Sequence, residues 1–91
     1  MQPYEVSLDG DLTFENVSEH ARVLADALET HNEINVDLSA CNGIDLAGAQ
    51  LLISTAKTAR QGSVHLRYQN AERYRRICEY AGLKAKGLVD S

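Results

Sequence analysis

The segment Asp-Leu-Ala-Gly at positions 45–48 has residue types and spacing that suit an anion at the start of a helix. Asp45 is a typical N-cap residue, and Ala47 lies two residues further on, where the backbone N–H groups of a new helix have no partner within the helix. The partial positive charge of a helix N-terminus favours a phosphate group there. Leu46, Ala47 and Gly48 carry no hydroxyl group, so none of them can accept a phosphate. The segment therefore predicts the setting of a phosphorylation switch without the residue that would be switched.

Cys41 is the candidate nucleophile next to this helix start. A helix N-terminus favours the thiolate form of a nearby cysteine, but the sequence offers no identifiable base to pair with Cys41. Ser39 lies at the end of a strand, where we expect a structural role, and the scattered glycines form no phosphate-binding loop. We therefore predict that the protein is not an enzyme and has no catalytic residues, with a cysteine-dependent enzyme as the third alternative.

The three histidines have no metal-ligand spacing to one another, to a cysteine or to a carboxylate. The helical pattern places His20 on the polar side of the first helix and His31 at its end. The strand pattern places His65 on the polar face of the sheet. We predict no metal site and no cofactor.

Composition predicts one small domain over residues 1–91. Apolar residues make up 44% and charged residues 24% of the chain, which is ordinary for a globular protein. The net charge of −4 argues against general nucleic-acid binding. No apolar run approaches the roughly 20 residues of a membrane span, and residues 1–10 lack the pattern of a signal peptide. Two isolated cysteines, Cys41 and Cys78, also fit a cytoplasmic protein.

Charge is distributed unevenly along the chain. Ten acidic residues and one basic residue, Arg22, occur up to Asp45, whereas three acidic and eight basic residues occur from Leu46 onward. Such charges are usually solvated, and this is the simpler interpretation. The alternative is a surface that orients a charged protein partner.

The elements that must position the motif alternate between strands and helices. Each strand has apolar residues on one face only; they are Tyr4, Val6 and Leu8, then Ile34, Val36 and Leu38, then Val64, Leu66 and Tyr68. The order β-α-β-α-β-α predicts an α/β fold with parallel strands and right-handed crossovers. Parallel sheets covered on both faces usually have continuous apolar runs. We therefore predict a small two-layer sandwich with a mostly parallel or mixed sheet, helices mainly on one face, and a polar face that could pair two copies.

Three helices are predicted from apolar spacing and capping residues. The first, capped by Thr13, should bury Phe14, Val17, Ala21, Leu24 and Leu28. The second, from Asp45 to Gln61, should bury Gly48, Leu52, Thr55, Ala56 and Ala59. The third, capped by Asn70 and ended by Gly82, should bury Tyr74, Ile77, Cys78 and Ala81, and Leu88-Val89 is predicted as a short edge strand.

The second helix has more apolar surface than one buried face requires. Leu46, Ala49 and Ile53 form a second stripe, about a quarter-turn from the first. A broadly buried helix would explain this stripe. An exposed docking ridge beside the motif would explain it equally well.

The motif resembles the start of the second helix in the STAS domain family, which includes anti-sigma-factor antagonists and sulfate-transporter tails. The family has a strand ending in Asp-Leu-Ser, a short loop, and Ile/Met-Asp-Ser-Ser/Thr-Gly-Leu. Here residues 36–39 are Val-Asp-Leu-Ser and residues 44–49 are Ile-Asp-Leu-Ala-Gly-Ala. Residues 8–12, Leu-Asp-Gly-Asp-Leu, and 79–83, Glu-Tyr-Ala-Gly-Leu, resemble two further landmarks. The family's extra N-terminal strand is short or missing, and its phosphorylatable Ser or Thr falls on Ala47.

The resemblance implies a module that binds a protein partner through the loop and helix start. The expected contacts are Cys41, Asn42, Asp45, Leu46, Ala47, Gln50 and Ile53. The implied partner is a kinase-like anti-sigma factor or histidine-kinase-related ATPase in bacterial signalling, and the chain would not be switched by phosphorylation at Ala47.

Two alternatives follow from the same resemblance. The chain could be the cytoplasmic STAS subunit of a lipid-transport ABC complex and bind its ATPase, since the lipid-asymmetry transporter member of the family also lacks a serine at the position of Ala47. A phosphate could also be carried by Ser39, Ser54 or Thr55 instead.

Overall fold

Three parallel strands form the sheet. The computed structural model describes residues 2–74, with strands β1 (Tyr4–Ser7), β2 (Glu33–Asp37) and β3 (His65–Gln69) in the order β1-β2-β3. Val6 pairs with Val36, which in turn pairs with Tyr68. The central strand is therefore the one that precedes the motif.

Two helices connect these strands. Helix α1 (Val17–Thr30) joins β1 to β2, and helix α2 (Leu46–Gln61) joins β2 to β3. Because both connections are crossovers between neighbouring parallel strands in the same direction, right-handed crossovers place both helices on one face. The predicted α/β architecture is confirmed. A short 3-10 helix, η1 (Glu72–Tyr74), follows β3.

Burial alternates along the strands as the sequence predicts. The helix-covered face carries the core, and its most deeply buried side chains are Leu8, Leu12, Leu24, Ile34, Val36, Leu38 and Leu52. The opposite face is polar: Asn35 donates to the Glu5 carboxylate at 3.1 Å, and Arg67 follows in the same row. The described sheet is thus amphipathic, with a polar face that no described helix covers.

A ladder of backbone hydrogen bonds continues beyond the ends of β1 and β2. The bonds run from Leu8 N–H to Asp37 C=O (3.2 Å), from Gly10 N–H to Ala40 C=O (3.3 Å) and from Leu12 N–H to Gly43 C=O (2.8 Å). Gly10 has a φ of 85°, a conformation that glycine adopts without strain. The ladder brings the segment before α1 alongside the loop before α2.

Three predictions for the first helix are wrong, namely the Thr13 cap, the burial of Phe14 and the place of His20 on the polar side. The helix begins at Val17 with Asn16 as N-cap, so Phe14 lies before it in a turn and is 75% exposed. His20 is buried rather than on a polar side, and its Nε2 lies 3.1 Å from the Asp11 carbonyl oxygen. A side chain that satisfies a carbonyl group at a helix start can be buried although its type is polar.

The remaining helical predictions fall into two groups, because the structure describes the chain only up to residue 74. The buried stripe of α2 is confirmed: Gly48, Leu52, Thr55, Ala56 and Ala59 are all buried. Tyr74 is also buried, as predicted. Other calls of the sequence concern positions outside the described residues, namely Ile77, Cys78, Ala81, Gly82, the 79–83 landmark and the strand at Leu88-Val89.

The segment before α1 crosses α2, and the closest contact is between the Leu12 backbone and Gly48. Leu12 forms a parallel bridge with Ile44, and its carbonyl oxygen accepts the Asp45 N–H at 3.1 Å. A Cβ atom on Gly48 would overlap that carbonyl oxygen and lie 2.8 Å from the carbonyl carbon. Glycine is therefore required at position 48 by the approach of the Leu12 backbone.

Gly48→Ala should lower the free energy of unfolding by about 2–3 kcal/mol, because the added methyl group forces two backbone segments apart. The sign of the change in the free energy of unfolding is diagnostic, since replacing Gly by Ala within a helix ordinarily stabilises a protein by about 0.5–1 kcal/mol. Gly43→Ala is the matched control, because its Cβ would meet only Asp11 Oδ1 at 3.8 Å. Urea unfolding measures both, and a stabilised Gly48→Ala protein would contradict the close approach.

Candidate functional site

The carboxylate of Asp45 joins two segments of the chain. Its Oδ1 accepts the Gly48 N–H at 3.1 Å, which caps the start of α2 as the sequence predicts. Its Oδ2 accepts the Phe14 N–H at 2.9 Å, from a residue 31 positions earlier. Asp45 is therefore both a helix cap and a tie between α2 and the turn that precedes α1.

These bonds favour the ionised carboxylate. The N–H of Phe14, and after it that of Gly48, holds the pKa of Asp45 below its ordinary value. The Asp45 side chain thus already occupies the positive end of the helix. The predicted anion setting exists, and the protein supplies its own anion.

A second aspartate fixes the end of β2. The amide of Asn70, then the backbone N–H and the hydroxyl of Ser39, lower the pKa of Asp37. The Asn70 bond is 2.7 Å long, and the two Ser39 bonds are 3.0 Å. Asn70, with a φ of 63°, therefore ties β3 to β2.

Cys41 is part of the support of the loop and not of its surface. Its side chain is fully buried, and its Sγ donates to the Gly43 carbonyl oxygen at 3.3 Å. Its own carbonyl oxygen accepts the hydroxyl of buried Tyr74 at 2.6 Å. Cys41 was predicted as a partner contact, but its side chain is buried and is not accessible to a partner in this conformation.

Of the two explanations for the second apolar stripe of α2, the broadly buried helix applies to Ala49 and Ile53, and the exposed ridge applies only to Leu46. Ala49 is fully buried and Ile53 is 7% exposed, so neither can contact a partner through this surface. Leu46 is 49% exposed. Ala49 and Ile53 belong to the core because the Leu12 segment crosses α2 at Gly48 and α1 packs against the helix.

The other predicted contacts do surround this helix start. Asn42 in the loop and Gln50 in α2 are exposed, whereas Asp45 and Ala47 are half-buried. Together with Leu46 they are the parts of the chain between 42 and 50 that combine the predicted contacts with access to the surface. We call Asn42, Asp45, Leu46, Ala47 and Gln50 the α2-start surface.

Phe14 is the surface residue that sequence reasoning missed. Its spacing to Val17 matched a helical stripe, but the helix begins later and leaves Phe14 outside the core. Its bond to Asp45 could not be inferred from spacing. A usable signal was Asn16, which is a good N-cap residue close to the first buried turn.

The three residues that could carry a phosphate instead, Ser39, Ser54 and Thr55, differ in their exposure to solvent. Ser39 and Ser54 are exposed, and the Ser54 hydroxyl donates to the Leu51 carbonyl oxygen at 3.3 Å. Thr55 is buried within α2. Of these three hydroxyl groups, only the two serines can be reached from solvent.

The described part of the chain has neither a cluster of metal ligands nor a membrane-spanning helix. Residues 2–74 contain no group of three or more His, Cys, Asp or Glu side chains arranged to hold a metal ion. Among the same residues, no helix has the length and apolar character required to cross a bilayer.

Comparison with known families gives one match that spans nearly the whole chain. The family model described as "Mlab, STAS domain" matches residues 2–90. Comparison with curated proteins finds none that matches the chain.

Asp45→Asn should weaken the fold at neutral pH. Asn is as good an N-cap as Asp, but its amide group can accept only one of the two N–H groups and turns a donor toward the other. Since the pKa of Asp45 is lower in the folded protein, its contribution is complete above the ordinary value of 3.8 and is lost as the pH falls through the folded pKa.

The stability difference between wild type and Asp45→Asn should therefore be largest at pH 7 and shrink below about pH 4. Urea unfolding across this range measures it. Asp26→Asn, at an exposed position on α1, is the charge-matched control and should show little difference at any pH. A constant difference between pH 7 and pH 3 would contradict a role for the ionised carboxylate.

Proposed function

Because the chain belongs to the STAS domain family, we propose that it is a non-catalytic protein-interaction module that docks a partner through the α2-start surface. STAS domains generally mediate protein–protein interactions, in anti-sigma-factor antagonist-like or related regulatory and transporter-associated roles. The proposal concerns which surface is used here and what kind of protein it meets.

One observation carries the proposal, namely the exposed Leu46 in the first turn of α2. A large aliphatic side chain that is 49% exposed lies directly after the Asp45 cap. Asn42 and Gln50, both exposed, supply hydrogen-bonding groups on either side of it. An apolar contact flanked by polar groups is the usual composition of a protein-binding surface.

The proposed partner is a kinase-like anti-sigma factor or a histidine-kinase-related ATPase in bacterial signalling. Ala47 occupies the position of the family's phosphorylatable residue and has no hydroxyl group. The chain would then bind constitutively, with regulation by partner abundance or competition. Burial of Cys41, the candidate nucleophile, supports the non-catalytic part of the proposal.

A second candidate is the STAS subunit of a lipid-transport ABC complex. The observation that favours it is again Ala47, because the lipid-asymmetry transporter member of the family also lacks a serine there. Purification with an ATPase and a membrane permease would favour this candidate. Purification with a sigma-regulatory or chemotaxis-type kinase would favour the first.

Leu46→Ala should weaken binding to the ATPase identified in this way by about tenfold, since truncating a central apolar contact removes buried surface from the complex. Val23→Ala is the matched control, because Val23 is also an exposed aliphatic residue, at 42%, on α1. Calorimetric titration measures both affinities. Equal affinities for wild type and Leu46→Ala would place the docking surface elsewhere.

Incubation of the chain with the kinase-like ATPase and ATP should leave its intact mass unchanged. Ala47→Ser restores a hydroxyl group at the family position and should gain one phosphate under the same conditions. Incorporation into wild type at Ser39, Ser54 or Thr55 would contradict constitutive binding. A bound Ala47→Ser protein that gains no phosphate would favour the ABC ATPase.

A further inference from the structure

Phe14 and Leu46 are two exposed apolar side chains on adjoining pieces of chain. Phe14 is 75% exposed and Leu46 is 49% exposed. The backbone N–H of Phe14 bonds to the carboxylate of Asp45, the residue immediately before Leu46. The Asp45 tie therefore keeps the backbone positions that carry the two side chains close together.

The turn that carries Phe14 is held by several hydrogen bonds. The Asn16 N–H donates to the Thr13 carbonyl oxygen at 2.9 Å, which closes the turn. The Asp11 carbonyl oxygen lies 3.1 Å from His20 Nε2 and accepts the Asn16 amide at 3.3 Å. An exposed aromatic ring on a tethered turn loses little conformational freedom on binding, which suits it to anchor a complex.

The Asp, Glu, Lys and Arg residues in the two chain segments that carry Phe14 and Leu46 are all acidic. Residues 9–20 and 39–50 contain five carboxylates and no Lys or Arg; the carboxylates belong to Asp9, Asp11, Glu15, Glu19 and Asp45. All but Asp45 are exposed. The described basic side chains are Arg22 on α1, Lys57 and Arg60 in the later part of α2, and Arg67 on β3.

We propose that Phe14 and Leu46 enter one apolar pocket on the partner protein, and that lysine and arginine side chains rim this pocket. The proposal rests on the function proposed above and adds a second anchor and the chemistry of the partner. The apolar pair supplies buried area, whereas the carboxylates of the two segments that carry it select a basic rim by charge complementarity.

A photo-cross-linking amino acid at position 14 or 46 of the full chain tests the shared pocket directly. The expected result is that both positions cross-link to the same partner protein, in peptides where apolar residues adjoin Lys or Arg. Position 4 is the control, because Tyr4 is an exposed aromatic residue at the opposite end of β1 and is 44% exposed.

Substitutions then test the two parts of the proposal with the purified partner. Phe14→Ala should weaken binding about tenfold or more, whereas Tyr4→Ala should change it less than about threefold. Glu15→Lys should also weaken binding, and Glu29→Lys, an equal charge change near the other end of α1, should not. Rising salt should reduce the effect of Glu15→Lys, because screening weakens exposed charge pairs.

Each other outcome overturns a defined part of the proposal. Cross-links from position 46 but not from position 14 would overturn the shared pocket and leave the proposed function intact. The absence of any cross-link from positions 14 and 46 would overturn both the shared pocket and the proposed docking surface. Cross-links only to a second copy of this chain would identify this surface as a self-association interface and overturn the heterologous pocket. Binding weakened by Phe14→Ala but not by Glu15→Lys would overturn the basic rim.

Discussion

The approach of the Leu12 backbone to Gly48 is the constraint on which the site depends. It can occur only because Gly48 has no side chain, and it brings the segment before α1 across the first turn of α2. The Asp45 carboxylate then bonds to an N–H group on each side of that crossing. One glycine and one carboxylate thus determine how two chain segments, 42 to 50 and 12 to 16, meet at the carboxyl end of the sheet.

The same contact explains why this helix start is not an open anion site. The helix N-terminus favours a negative charge, and Asp45 supplies that charge from within the chain. The negative charge at the helix start is therefore already present although Ala47 has no hydroxyl group. The α2-start surface is a preformed structure, and its proposed role as a constitutive docking site is consistent with that charge.

Sequence reasoning succeeded where a short pattern determines local structure. Strand alternation identified the three strands and the polar sheet face, and the Asp45 cap was identified from its type and position. It failed where contacts between distant segments decide exposure. Ile53 and Cys41 are buried by such contacts, Phe14 is left outside the core by a later helix start, and His20 is buried by its bond to Asp11. Spacing along one helix contains no information about these neighbours.

The most direct test of the central claim is amide hydrogen exchange of the chain alone and with its purified protein partner. Docking at the α2-start surface predicts that the partner slows exchange most in residues 42–50 and 13–16, which meet at the Asp45 carboxylate. Exchange that slows instead along the polar sheet face, around Glu5, Asn35 and Arg67, would show that the partner covers the open face of the sheet and would contradict the account.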